Sequence, residues 1–104
     1  MTDTIPERKY RMIRMRSGDY LLPGNDGATL WRICRYWEDG SAERWDGKPL
    51  VGWFWQAAKH PRPFESVFAS ATEDDLLGWD EWECWEMLLP TRQAAIDAAM
   101  RASR

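Results

Sequence analysis

From residue 8 the chain reads RKYRMIRMR, in which Tyr10, Met12 and Arg14 alternate with Arg11, Ile13 and Met15. A period of two predicts a strand. SGDY turns it, and residues 20–22 begin a second short extended piece. The PGNDG that follows combines residues able to supply positive φ and side-chain turn bonds. Residues 28–38, ATLWRICRYWE, form the longest strand candidate, rich in β-branched and aromatic residues, with DGS expected to end it. ERWDGKP reads as a loop. LVGWFWQA, residues 50–57, reads as a fourth strand, stopped by KHPRP because two prolines cannot donate to a ladder. The expectation is an antiparallel meander over residues 8–58, preceded by a flexible stretch over residues 1–7 and followed by a loop over residues 59–71.

Beyond residue 71 the period changes. Thr72 offers an N-cap with Asp75 three residues on, acidic residues crowd the first turn, where the helix dipole favours them, and Gly78 offers a stop. The final LPTRQAAIDAAMRASR is a helix of high propensity: Pro90 forces Leu89 to be extended and Thr91 caps the alanine-rich run. Between them lies WDEWECWEMLL, residues 79–89, three tryptophans at a spacing of three among four acidic side chains. On a helix Trp79, Trp82, Trp85 and Leu89 fall within about 120° of one another, whereas on a strand both faces mix charge with apolar bulk. LLPT, typical of a strand handing over to a helix, pulls the other way. The arc favours helix, so residues 72–104 are expected to be mainly helical.

The strands pose a sharper problem. Over residues 28–38 one face carries Trp31, Ile33, Arg35 and Trp37, the other Leu30, Arg32, Cys34 and Tyr36. Over residues 50–57, Val51, Trp53, Trp55 and Ala57 oppose Leu50, Gly52, Phe54 and Gln56. Neither face is plainly wet, although a small antiparallel sheet normally leaves one face polar. One or two helices can cover one face; the other needs long loops, a second copy of the chain or a partner. Trp, Tyr and Arg are enriched where proteins bind one another strongly, which makes Trp31, Arg35, Trp37, Trp53 and Trp55 candidate partner-binding residues, with Arg32 and Tyr36 as further anchors. A homodimer burying tryptophans of these strands is one expected outcome.

Composition sharpens this reading. A chain of 104 residues fits one domain, and 44% hydrophobic with 30% charged residues is the balance of a soluble globular protein; the eight tryptophans are the anomaly that needs explaining. The net charge of −3 is unevenly spread, with five positive charges and no negative one over residues 8–16, and seven acidic side chains and no basic one over residues 73–86. No apolar run is long enough to span a membrane and MTDTIPERKY lacks the apolar run of a secretory signal, so the cytoplasm is the expected location. Cys34 and Cys84 lack the clustering of a zinc or redox site, and buried free thiols are expected, a disulfide being the alternative. No metal site or cofactor is expected, since His60 is the only histidine and no phosphate loop or dinucleotide fingerprint occurs.

YLLPGNDGATLWRICRYWEDG and LPTRQAAIDAA resemble segments of small proteins of actinobacteriophages and of the mobile elements of their hosts, which share an LLP-x-NDG turn, an LWRI strand and an LPTR-x-x-A helix start. The likeness covers about half the chain. It implies a phage-encoded accessory protein, a class that often binds host proteins, and it transfers no functional residue.

Catalysis finds little support, because neither Cys34 nor Ser66 lies in an activated-nucleophile turn and Asp26, Asp39 and Asp46 each neighbour glycine, as turn residues do. Nucleic-acid binding is the rival: Arg11, Arg14 and Arg16 on a basic strand beside an aromatic sheet could track phosphates while bases stack, although most dedicated binders are basic as whole domains. The sequence therefore predicts an α+β fold, a small antiparallel β-meander of about four strands packed with one or two C-terminal helices. It predicts a non-catalytic module that binds a host protein, in host takeover or counter-defence, or its own copy, with single-stranded nucleic acid as the alternative and no membrane partner.

Overall fold

A computed structural model of the chain describes residues 12–44, 46–78, 81–84 and 88–103, with only the backbone of Cys84. Within them β1 (Ile13–Arg14), β2 (Tyr20–Pro23), β3 (Leu30–Glu43), β4 (Pro49–Lys59) and β5 (Glu83–Cys84) make one antiparallel sheet in chain order. Three helices, α1 (Phe64–Ser70), α2 (Glu73–Leu77) and α3 (Arg92–Ala102), complete an α+β fold. The strand expected over residues 8–16 survives as β1; residues 8–11 lie outside the described part, as do residues 1–7.

The turns follow their local chemistry. After β2, the Gly24 amide donates to the Thr29 carbonyl at 2.7 Å and Gly27 takes φ +74°. Asp26 accepts from the amides of Ala28 and Thr29 and from the Thr29 hydroxyl. Partial burial pushes the Asp26 carboxyl up, but the Thr29 and Ala28 bonds outweigh it and hold the group below its ordinary range. DGS does not end β3 as expected. Gly40 takes φ +97° and the register shifts between Asp39 and Glu43, so a bulge absorbs the turn-like residues and pairing resumes at Glu43 and Pro49. The chain reverses after Arg44, with Gly47 at φ +82°.

Both sheet faces are covered at the same end, which is why neither read as wet. On one face Trp31, Ile33, Leu22 and Ala57 lie beneath Ala95 and Ala99 of α3. The opposite face buries Leu21, Leu30, Cys34 and Ala58 beneath Val67 of α1, Leu76 of α2 and Trp82. The expected Thr91 cap is present, accepting from the Ala94 amide, and Thr72 and Asp75 form a reciprocal capping box on α2.

Three further expectations change. Residues 59–71 are not all loop, because Phe64, Val67, Phe68 and Ala71 carry a helical spacing and α1 seats Val67 in the core. Residues 79–89 are not a helix where described. Glu83 and Cys84 pair with Lys59 and Ala58, and Leu89 exchanges both backbone hydrogen bonds with Trp55 at 2.7 Å. Glu83, Cys84 and Leu89 thus pair along the β4 edge; Trp79 and Trp85 lie outside the described residues. Arg32, an expected anchor, is 1% exposed. Its guanidinium pairs with Asp19 at 3.0 Å and donates to the carbonyls of Leu76, Leu77 and Gly78, the end of α2 where a cation meets the helix dipole. Cys34 is buried, its thiol donating to the Arg32 carbonyl.

Candidate functional site

β3 has 14 residues, at most about 43 Å end to end, while the 11 residues of α3 cover about 16 Å. The helix therefore shields only the Trp31 end of its face, and the β3–β4 hairpin runs on beyond it. Alternate residues of that uncovered length, in register across the two strands, are Arg35 opposite Trp55, Trp37 opposite Trp53 and Asp39 opposite Val51. Trp37 and Trp53 are 56% and 50% exposed and meet edge to face, ring centroids 5.4 Å apart. The Arg35 guanidinium lies over the Trp53 ring at 4.0 Å and 5.9 Å from that of Trp55. Trp55 is half-buried, held by its backbone exchange with Leu89.

Beside this pair runs a groove of about 340 Å³ lined by Arg14, Tyr20, Arg35, Trp53 and Trp55, with the Ser17–Gly18–Asp19 turn at its edge. Arg92, at the start of α3, reaches over the Tyr20 ring at 4.9 Å. The structure thus gathers Arg35, Trp37, Trp53 and Trp55 as expected, but it removes Trp31. That residue shares strand and face with Trp37 yet is 1% exposed beneath α3, so it belongs to the core. Of the three basic candidates, Arg14 joins the groove, Arg16 is held by Glu73 and Asp74 of α2, and Arg11 lies outside the described residues. Tyr20 and Arg92 were missed. The signal at Arg92 was present: a basic residue in the first turn of a helix opposes the dipole and calls for another partner.

A second cavity, about 360 Å³, lies on the opposite face, with His60, Arg62, Asp75, Glu81 and Trp82 in its wall. The His60 ring is buried, edge-on to Trp82 at 4.9 Å, with Nε2 3.0 Å from Glu81 Oε1 and Nδ1 accepting from the Arg62 amide. Burial lowers its pKa, and Arg62 adds to the effect against the pull of Glu81. Both ring nitrogens are occupied, so neither is free to take a proton from a nucleophile. Ser70, the hydroxyl in the same wall, donates to the Ser66 carbonyl. Among the described residues no three His, Cys, Asp or Glu side chains are placed to hold a metal ion, and no helix is long and apolar enough to cross a membrane.

Fold and site together define a small α+β protein that carries an open aromatic and arginine surface on a protruding hairpin. Comparison of the chain with protein-family models, curated proteins and solved structures gives no match in any of the three.

Proposed function

We propose that this chain is a small non-catalytic protein-binding module, a phage-encoded accessory protein that engages a host protein through the exposed face of the β3–β4 hairpin. The observation that carries the reading is the Trp37 and Trp53 pair. Two large indoles stand half-exposed in direct cross-strand register with Val51 and Arg35 beside them, on a paired ladder. Isolated exposed apolar residues are ordinary, but a contiguous aromatic patch bordered by arginine has the composition of an interface centre. An isologous homodimer through the same patch is less favoured, because it would bring Arg14, Arg35 and Arg92 of two copies together.

The test is retention from a lysate of an actinobacterial host, using tagged protein and the double variant Trp37→Ala, Trp53→Ala. A discrete host protein should be held by the wild type and lost from the double variant, both melting at the same temperature. Equal retention by both, or none by either, would reject the reading. Single-stranded nucleic acid is the second reading, favoured by Arg14 in the groove. Salt-sensitive oligonucleotide binding that disappears in Arg14→Gln would replace the protein partner.

A further inference from the structure

The arginines of this protein divide sharply. Of the eight that are described, Arg16, Arg32, Arg44 and Arg62 lie within ion-pair distance of carboxylates. Arg14, Arg35, Arg92 and Arg101 form no ion pair with any described carboxylate. Three of those four converge on one place: Arg14 and Arg35 line the groove, and Arg92 lies over Tyr20 in its wall. Asp19, the carboxylate nearest to hand at the groove edge, is already spent on Arg32 at 3.0 Å. Among the described residues, a chain of net charge −3 thus gathers arginines without a carboxylate partner beside the exposed Trp37 and Trp53.

How the arginines are held narrows what they can take. Arg35 lies over the Trp53 ring and Arg92 over that of Tyr20. A guanidinium over an aromatic face is positioned by the contact while its N–H edge stays free to grip a carboxylate with two parallel bonds. The same arrangement works against base stacking, which needs an open ring face. Trp53 has Arg35 over its ring and meets Trp37 edge to face, and Tyr20 has Arg92. A phosphate track also needs a run of free cations, and Arg16, the neighbour of Arg14 on the basic segment, is committed to α2.

We infer that the groove between Arg14 and Arg35 takes a carboxylate-bearing segment of a partner protein, an Asp or Glu gripped by Arg35 with an apolar neighbour laid on Trp37. This rests on the reading of the hairpin face as a protein-binding surface and adds the charge and side-chain chemistry of the partner.

The experiment is selection of a random-peptide display library on the intact protein at physiological salt, followed by titration of a synthetic copy of the enriched sequence. Enriched peptides should be rich in Asp and Glu beside an apolar residue, and their binding should weaken as salt rises. Arg35→Gln should lose about tenfold or more in affinity at an unchanged melting temperature, with Arg35→Lys recovering only part because it restores charge without the fork. Enriched peptides with no acidic excess that still need Trp37 would overturn the carboxylate assignment and leave the protein-binding reading intact. Acidic peptides indifferent to Arg35→Gln would overturn the assignment of the groove. No enrichment at all, whether or not an oligothymidylate binds, would overturn both.

Discussion

Trp31 and Trp37 stand on the same strand, point to the same face of the sheet and differ by six positions, yet one is 1% exposed and the other 56%. Their immediate sequence surroundings are alike, each lying near an arginine and another apolar residue. The difference is what lies above them: Ala95 and Ala99 of α3 over Trp31, nothing of α3 over Trp37. One indole is therefore structural and the other is available, and neither residue type nor strand periodicity distinguishes them.

The comparison is most strongly tested by truncating the covered indole. Trp31→Ala should cost about 3–5 kcal/mol, because it leaves a cavity beneath α3 that the short helix cannot fill. Chemical denaturation of wild type and variant would measure it, and a loss below about 1 kcal/mol would mean the α3 packing is loose. Trp82→Ala tests the other face in the same way, since Trp82 is buried among Leu76, Val67 and His60.

The paired arginines offer the next contrast. Arg32→Gln should cost about 3 kcal/mol, because it strips a buried charge partner from Asp19, takes the donor from the carbonyls of Leu77 and Gly78 and leaves that of Leu76 only the Trp82 indole. The equivalent change at Arg35, which binds no described carboxylate, should leave the melting temperature in place. A comparable fall at both positions would show that the groove arginine is structural.

A smaller effect is expected from acid. The pKa of His60 is lowered from its ordinary 6.5 by burial, against the attraction of Glu81. As pH falls through that value the unfolded chain takes up a proton before the folded one does. Stability is thus at its full value above the unfolded pKa and declines between it and the depressed folded pKa. Melting temperature should fall as pH drops through the ordinary 6.5 toward the depressed folded value, and His60→Gln should flatten the decline. The acid effect at Asp26, Asp39 and Asp75, whose carboxyls are also held low by hydrogen bonds, belongs to a separate window below their ordinary 3.8. The smallest change is the most telling for function: Trp37→Ala should alter stability by no more than about 0.5 kcal/mol while removing partner binding.

Much of the fold was legible because its signals are short-range. PGNDG carries its own turn chemistry, Thr72 and Thr91 cap helices three residues away, and the strand periodicities over residues 28–38 and 50–57 survive in the sheet. The helix α1 was partly legible too, in the spacing of Phe64, Val67 and Phe68, but the prolines of KHPRP masked it. Residues 79–89 misled because their helical arc of tryptophans was real as a pattern. Pairing of Glu83 and Cys84 with β4, which no local rule records, settled the backbone there. At the site, residue types pointed to Arg35, Trp37, Trp53 and Trp55, and could not separate them from Trp31 and Arg32.

By itself the sequence determined the PGNDG turn, the caps of α2 and α3, the meander order of the first four strands and the fact that both faces of the sheet would carry aromatic bulk, since each rests on residues a few positions apart. Only the tertiary structure decided which of that bulk is core. A helix of about 16 Å laid on a strand more than twice as long must leave part of it bare. Which arginines find carboxylates depends on contacts such as that of Arg32 with Gly78, between residues 46 apart in the chain. The open surface is thus what remains after covering elements of limited length and a limited supply of nearby carboxylates have been used, and both are settled by how distant segments meet.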